Sequence, residues 1–297
     1  MKPREFDLWL YYTRERHDIY LKRKQRLPPP WTEDRILRQF RFCNVYRELD
    51  TVTIWVREHI REPFADDKWL WFMLAIARRI NLPATLAELM ADKKGAWPRN
   101  GKWSPDRMVQ LLDDRTARGE AVYTGAYMIT AETGAEHIGK TKSRTTAFSN
   151  LLPLWQKAAQ IEPQLHHTLR RAFAAILGQG FAWGPFMSYE VVTDLRHTSY
   201  LSHAPDVATW ANAGPGAFRG LNRLQGRPLK QPQKPEAACA EMVQLLELTR
   251  KEWPRQSVNF PRLEMREIEH TLCEFDKYLR VQLGEGTPRS RYTPSTQ

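Results

Sequence analysis

Cysteine, long apolar runs, β-forming stretches and acidic charge are all in short supply in this sequence, and each shortage excludes something. Only three cysteines occur in 297 residues, Cys43, Cys239 and Cys273, odd in number and widely separated. They form no Cys-x-x-Cys pair and no Cys/His cluster of zinc spacing, so neither a disulfide framework nor a zinc motif is legible. No apolar run approaches the length that crosses a bilayer, and the N-terminus lacks the basic-then-apolar pattern of a secretory signal. A reducing, cytoplasmic setting without membrane association is expected. Only Ala121 to Thr130 has β character, too short to found a sheet, and no internal repeat is present. Acids number 34 against 45 lysines and arginines, a formal net charge of +11. That balance favours a polyanionic partner, nucleic acid first, over a basic surface that binds nothing.

What is present reads as helix. Basic and aromatic residues alternate from Trp9 to Arg26 and stop at Pro28-Pro29-Pro30, predicting a basic aromatic N-terminal helix over 1–30. Thr32 is the expected N-cap of a helix carrying Ile36, Leu37, Phe40, Val45, Leu49 and Val52 at helical spacing. Apolar periodicity places further helices at 69–80, 105–118, 145–160, 163–178, 185–197, 236–252 and 262–283. The expected fold class is mainly α, with little or no β. Residues 31–283 are expected as one helical catalytic domain, divisible into two lobes with a cleft between them. Residues 226–235 read as a proline-rich loop and 284–297 as a flexible tail.

Five segments carry chemistry-bearing residues. Asp206 to Gly220 sets a carboxylate, a Gly214-Pro215-Gly216 turn and Arg219 within fifteen positions. Positive φ at the glycines would open backbone N–H groups to an anion, and Arg219 would add a planar fork of donors. A tight interhelical turn with a surface arginine explains the same residues. Gly134 to Thr141 spells the phosphate-binding Gly-x-x-x-x-Gly-Lys-Thr pattern, but its surroundings do not supply the parallel strand and sheet that pattern needs. Lys140 remains a candidate phosphate contact without it.

On a helix over 42–50, Cys43, Arg47 and Asp50 would share a face, with Asn44 beside Arg47. Glu190 and Asp194 stand one turn apart, a like-charge pair that a cation, a proton or a substrate must resolve unless both are solvated. Cys273 and Lys277 are also one turn apart. A thiol near an ammonium can be an activated nucleophile, although such cysteines are more often buried and inert.

Asn44 to Asp50, Thr124 to Met128, Phe186 to Asp194, Gly214 to Gly220 and Cys273 to Arg280 together resemble the bacteriophage alpha-glutamyl/putrescinyl thymine pyrophosphorylases, or amino acid:DNA transferases. They also resemble the helical domain of 5-hydroxymethyluracil DNA kinases. Through Gly184-Pro185-Phe186 and the downstream Asp206 they resemble, more distantly, the helix-hairpin-helix DNA glycosylases.

The resemblance implies hypermodification of thymine in double-stranded phage DNA inside an infected bacterium. Pyrophosphate on 5-pyrophosphorylmethyluracil would be replaced by the amine of an amino acid or polyamine, on an extruded base and alongside other phage base-modification enzymes. Neither cofactor nor metal is expected. Under this resemblance Asp206 is the expected base or orienter of the amine, with Asp194 and Glu190 as alternates and Cys273 as a candidate covalent nucleophile. Arg219, Gly214, Gly216, Lys140, Arg47 and Lys277 would hold phosphate, and Asn44 and Tyr127 would read the base. A glycosylase-like enzyme, a noncatalytic DNA-binding module and a 5-hydroxymethyluracil kinase are the alternatives.

Overall fold

A computed structural model of the chain describes residues 1–125, 141–252, 262–288 and 290–292. In chain order its α-helices are α1 (Pro3–Lys24), α2 (Arg35–Gln39), α3 (Thr51–Val56), α4 (Leu70–Ile80), α5 (Pro83–Ala91), α6 (Pro105–Ala117) and α7 (Lys142–Arg144). They continue with α8 (Leu152–Gln156), α9 (Ala158–Ile161), α10 (Leu169–Ile176), α11 (Pro185–Leu195), α12 (Pro215–Gln225), α13 (Pro235–Glu252) and α14 (Met265–Gln282). Among the described residues there is no strand, only isolated bridges between Phe40 and Arg291 and between Arg99 and Lys102. The mainly α class is borne out.

The chain divides into two compact units, Met1–Asp50 with Val207–Gln297, and Thr51–Asp206. In the first unit, α1 is part of the core. Trp9 is fully buried, meets Phe275 edge-on at 5.5 Å and donates its indole N–H to Thr249, while Tyr12 lies against Tyr278. Such aromatic contacts add to the burial of the rings themselves.

The most extensive helix packing is α12 along α14. Gly216 and Gly220 make it possible, because a Cβ on Gly216 would lie 2.3 Å from Cys273 Sγ and one on Gly220 would lie 2.5 Å from the Leu272 carbonyl oxygen. In the second unit, α4 is buried along its whole length and packs on α11. Trp69 stacks on Trp155 at 4.1 Å, with Phe72 and Trp103 against the same ring.

Several local expectations change. The N-cap of α2 is Asp34, whose Oδ1 accepts from Ile36 and Leu37 N–H, whereas Thr32 Oγ1 accepts from Asp34 N–H. The helix expected to continue through Val52 stops at Gln39, because Phe40 turns extended (φ −121°, ψ 151°). Residues at 290 and 292 pair with that extended segment: Arg41 N–H donates to Ser290 and Tyr292 N–H to Gln39, so this part of the expected tail is held. The loop after α12 is pinned as well. Buried Asn222 donates to the carbonyls of Leu229 and Gln231 and accepts from Gln233.

Candidate active site

Residues Phe42 to Asp50 do not form an α-helix. Asn44 closes the segment on itself: its N–H donates to Asp50 Oδ1 at 3.0 Å and its side-chain amide to the Leu49 carbonyl at 2.8 Å. An asparagine that bonds nearby backbone in this way offers the chain an alternative to helix, and only a 3-10 turn over Arg47–Leu49 remains. Two further ties hold the segment. Arg16 of α1 donates to the Phe42 carbonyl and to Asn44 Oδ1 at 2.7 Å, and Glu48 pairs with Arg266 of α14 at 3.1 Å.

This closure brings Cys43 and Asp50 up to His270 on α14. Sγ of Cys43, a carboxylate oxygen of Asp50 and a ring nitrogen of His270 all lie within 4.8 Å of one another. Glu274, one turn along α14, accepts from Cys43 N–H at 2.9 Å and pairs with Lys277 at 2.6 Å, and Lys277 sits over the Phe42 ring. Arg47 acts electrostatically on all three of Cys43, Asp50 and His270.

Burial raises the Cys43 thiol, reinforced by Glu274 and Asp50, and it raises the Asp50 carboxyl against the pull of Arg47. It also holds the His270 imidazole well below its ordinary value, with Arg47 and Arg266 adding to the effect. Low-dielectric surroundings disfavour each charged form, while Arg47 and the Asn44 N–H favour the Asp50 carboxylate. Arg16 Nη1 and His270 Nε2 are buried with no hydrogen-bond partner, so each has capacity left for a water, an ion or a ligand atom.

The Gly-Pro-Gly segment takes the other meaning open to it. Neither Gly214 nor Gly216 has positive φ; Gly214 is the extended N-cap of α12 and Gly216 lies inside that helix. The anion at this helix start comes from the chain itself, because Gly214 N–H donates to Glu269 Oε1 at 3.3 Å. Arg219 and Arg223 each donate Nε–H to one oxygen of buried Asp276 at 2.7 Å, and Arg219 remains partly exposed. Cys273 reaches solvent, yet its thiol is pushed up to about 12. Desolvation against α12 leads, followed by Glu274 and Glu269, and together they outweigh Lys277 and Arg219. The proximity of Lys277 therefore does not activate this thiol, which takes the inert character that is the commoner of the two readings of its spacing.

Asn44, Arg47, Gly214, Gly216, Arg219, Cys273 and Lys277 thus fall in the first unit, and Glu190, Asp194 and Asp206 in the second. Glu190 and Asp194 are both buried. Asp194 is resolved by Arg78, which grips it through Nε at 2.5 Å and Nη2 at 2.6 Å. Asp206 accepts from the N–H groups of Leu169 at 2.8 Å and Arg170 at 3.0 Å, so both of its oxygens cap α10. Asp206→Ala is expected to cost about 1 kcal/mol, the usual worth of a capping side chain, read as a lowered urea midpoint.

In the turn before α11 the left-handed glycine is Gly178, not Gly180 or Gly184, and Phe181 and Phe186 are exposed around it. Tyr127, Lys140 and nearly all of the Gly134 to Thr141 pattern lie outside the described residues. Sequence reasoning missed Arg16 and His270. Neither stands at a telling spacing from Cys43 or Asp50.

No described helix is long and apolar enough to cross a membrane. The fold and site define a mainly helical protein whose first unit holds a half-buried thiol, carboxylate and imidazole among arginines and a lysine. The chain belongs to the family described as the 5-hmdU DNA kinase, helical domain, whose model matches residues 4–287. A curated relative, the 5-hmdU DNA kinase of Bacillus phage SP10, is 24% identical over 233 residues, covering 73% of this chain and 35% of its own length. This chain thus spans about a third of that relative. No solved structure matches.

Proposed function

We propose that the protein is a DNA base-hypermodification transferase that acts on 5-pyrophosphorylmethyluracil in phage DNA and replaces its pyrophosphate with the amine of an amino acid or polyamine. In this reaction the amine nitrogen bonds to the exocyclic methylene carbon, the bond from that carbon to the pyrophosphate oxygen breaks, and nitrogen loses a proton. Cations positioned for the departing pyrophosphate would supply most of the catalytic stabilisation. The observation that carries the reading is the convergence of Arg16, Arg47 and Lys277 around Cys43, Asp50 and His270, in a chain of net charge +11. Asn44, held between Arg16 and Asp50, is the candidate reader of the base, and exposed Phe181 and Phe186 are candidate contacts to the DNA. Membership of a family named for 5-hmdU DNA supports the substrate class.

The test is incubation with DNA carrying 5-pyrophosphorylmethyluracil and a mixture of amino acids and polyamines, followed by digestion and mass analysis of the nucleosides. The expected product is an aminated thymidine, with pyrophosphate released. Free base would indicate a glycosylase-like activity instead, and DNA binding without turnover a delivery module. Asp206→Asn, whose remaining side-chain oxygen still caps α10, is expected to keep conversion; loss of conversion with unchanged stability would return Asp206 to the role of base.

The names of the family and of the phage relative favour a second reading, a part in phosphorylating 5-hydroxymethyluracil in DNA. Phosphorylated nucleosides formed from ATP and 5-hydroxymethyluracil DNA by this chain alone would support it.

A further inference from the structure

We infer that Cys43, Asp50 and His270 form a binding site for one divalent transition-metal ion of the zinc type. The three donor atoms already lie within 4.8 Å of one another, and a tetrahedral zinc site with ordinary bond lengths needs them roughly 3–4 Å apart. The remaining contraction is within the reach of side-chain torsions. A sulfur, nitrogen and oxygen set suits zinc-like ions and not magnesium or calcium, which take oxygen ligands.

His270 is oriented as a ligand. Its Nε2 is buried without a partner, while the Asn44 backbone acts on its ring in the sense of an acceptor. Asn44 N–H is committed to Asp50, so the group of that backbone left to face the imidazole is the carbonyl, and Nε2 is free to point at a metal. Metal-binding histidines characteristically donate their second nitrogen to such an outer acceptor.

Asn44 serves two ligands at once, because its N–H also fixes Asp50 Oδ1. Arg16 and the Leu49 carbonyl clamp the Asn44 side chain in turn. A thiolate and a carboxylate supply two negative charges against a divalent cation. Three protein ligands leave a fourth position for water or a substrate oxygen, the pattern of catalytic rather than structural zinc sites.

The test uses the full chain, freed of metal with a chelator and titrated anaerobically with Co²⁺ in the absence of DNA. Its outcome is therefore independent of the transferase reading. One Co²⁺ per chain is expected, with a near-ultraviolet thiolate-to-cobalt charge-transfer band and the intense visible bands of tetrahedral cobalt. Cys43→Ser should lose the charge-transfer band and His270→Ala the tetrahedral spectrum. Asn44→Ala, a positioning change, should weaken binding about 10–100-fold while the spectrum at saturation persists. Cys239→Ser should change nothing.

An absent charge-transfer band in the wild-type protein overturns the site, as does a band that survives in Cys43→Ser. Should that variant fail to fold, alkylation of the wild-type chain decides. Zn²⁺ is expected to protect Cys43 and to leave Cys239 reactive, and equal labelling of Cys43 with and without Zn²⁺ overturns the site.

Discussion

Replacement of Asp194 by alanine is expected to destabilise the protein by about 3–5 kcal/mol, the loss that follows when one partner of a buried ion pair is removed. Both side chains are almost fully shielded from water, and the guanidinium meets the carboxylate through two parallel hydrogen bonds. Alanine would remove both carboxylate hydrogen bonds from a guanidinium that stays in a low-dielectric interior, beside Thr53 Oγ1 at 3.3 Å. Asp194→Asn keeps the shape and one acceptor, so its loss should be smaller. Joint replacement by apolar residues, Arg78→Met with Asp194→Leu, should recover much of the deficit, because the desolvation cost of both charges disappears with them. Urea denaturation of the four proteins measures this. An Asp194→Asn variant of unchanged stability and abolished conversion would mark the residue as a chemical participant instead.

Gly220→Ala is expected to destabilise by about 2 kcal/mol, within the range for overpacking a close contact. In a free helix the same change would stabilise by about 1 kcal/mol, since alanine is the better helix former. The sign reverses because the added Cβ would stand 2.5 Å from the Leu272 carbonyl oxygen and 3.0 Å from its carbon. Those are backbone atoms of α14, and no rotamer change removes them; α12 and α14 must part. Gly216→Ala should act in the same direction, since it would crowd the Cβ and Cα of Cys273 as well as its sulfur. Thermal denaturation checks both, and a rise in melting temperature in either variant would show that the helices do not cross this closely.

The helices with a full apolar pattern were legible. Those at 70–80, 105–117, 185–195, 235–252 and 265–282 lie within a residue or three of the expected bounds, because burial of one face imposes a 3.6-residue period that the sequence displays. Phe40 to Asp50 was not legible. Its apolar residues keep helical spacing, but Asn44 and Asp50 satisfy the backbone by side-chain hydrogen bonds that helix formation would forbid. Gly214-Pro215-Gly216 was legible as a turn, but neither the helix that starts there nor its purpose was. Whether such glycines admit a ligand or a second helix depends on what stands opposite, and here that is Cys273 and Leu272.

Local chemistry therefore determined the helical class, the positions of most of the long helices, the basic charge and the resemblance to thymine-hypermodification proteins. Tertiary structure alone decided which polar residues meet. Cys43 and Asp50 reach His270 only through the closure made by Asn44 and the docking of Glu48 on Arg266. The carboxylates of Asp194 and Asp206, prominent by spacing, are taken up by Arg78 and by the start of α10. Periodicity records which face of a segment is buried. The partner a buried polar group finds is set by segments far away in sequence, and no spacing within either one encodes it.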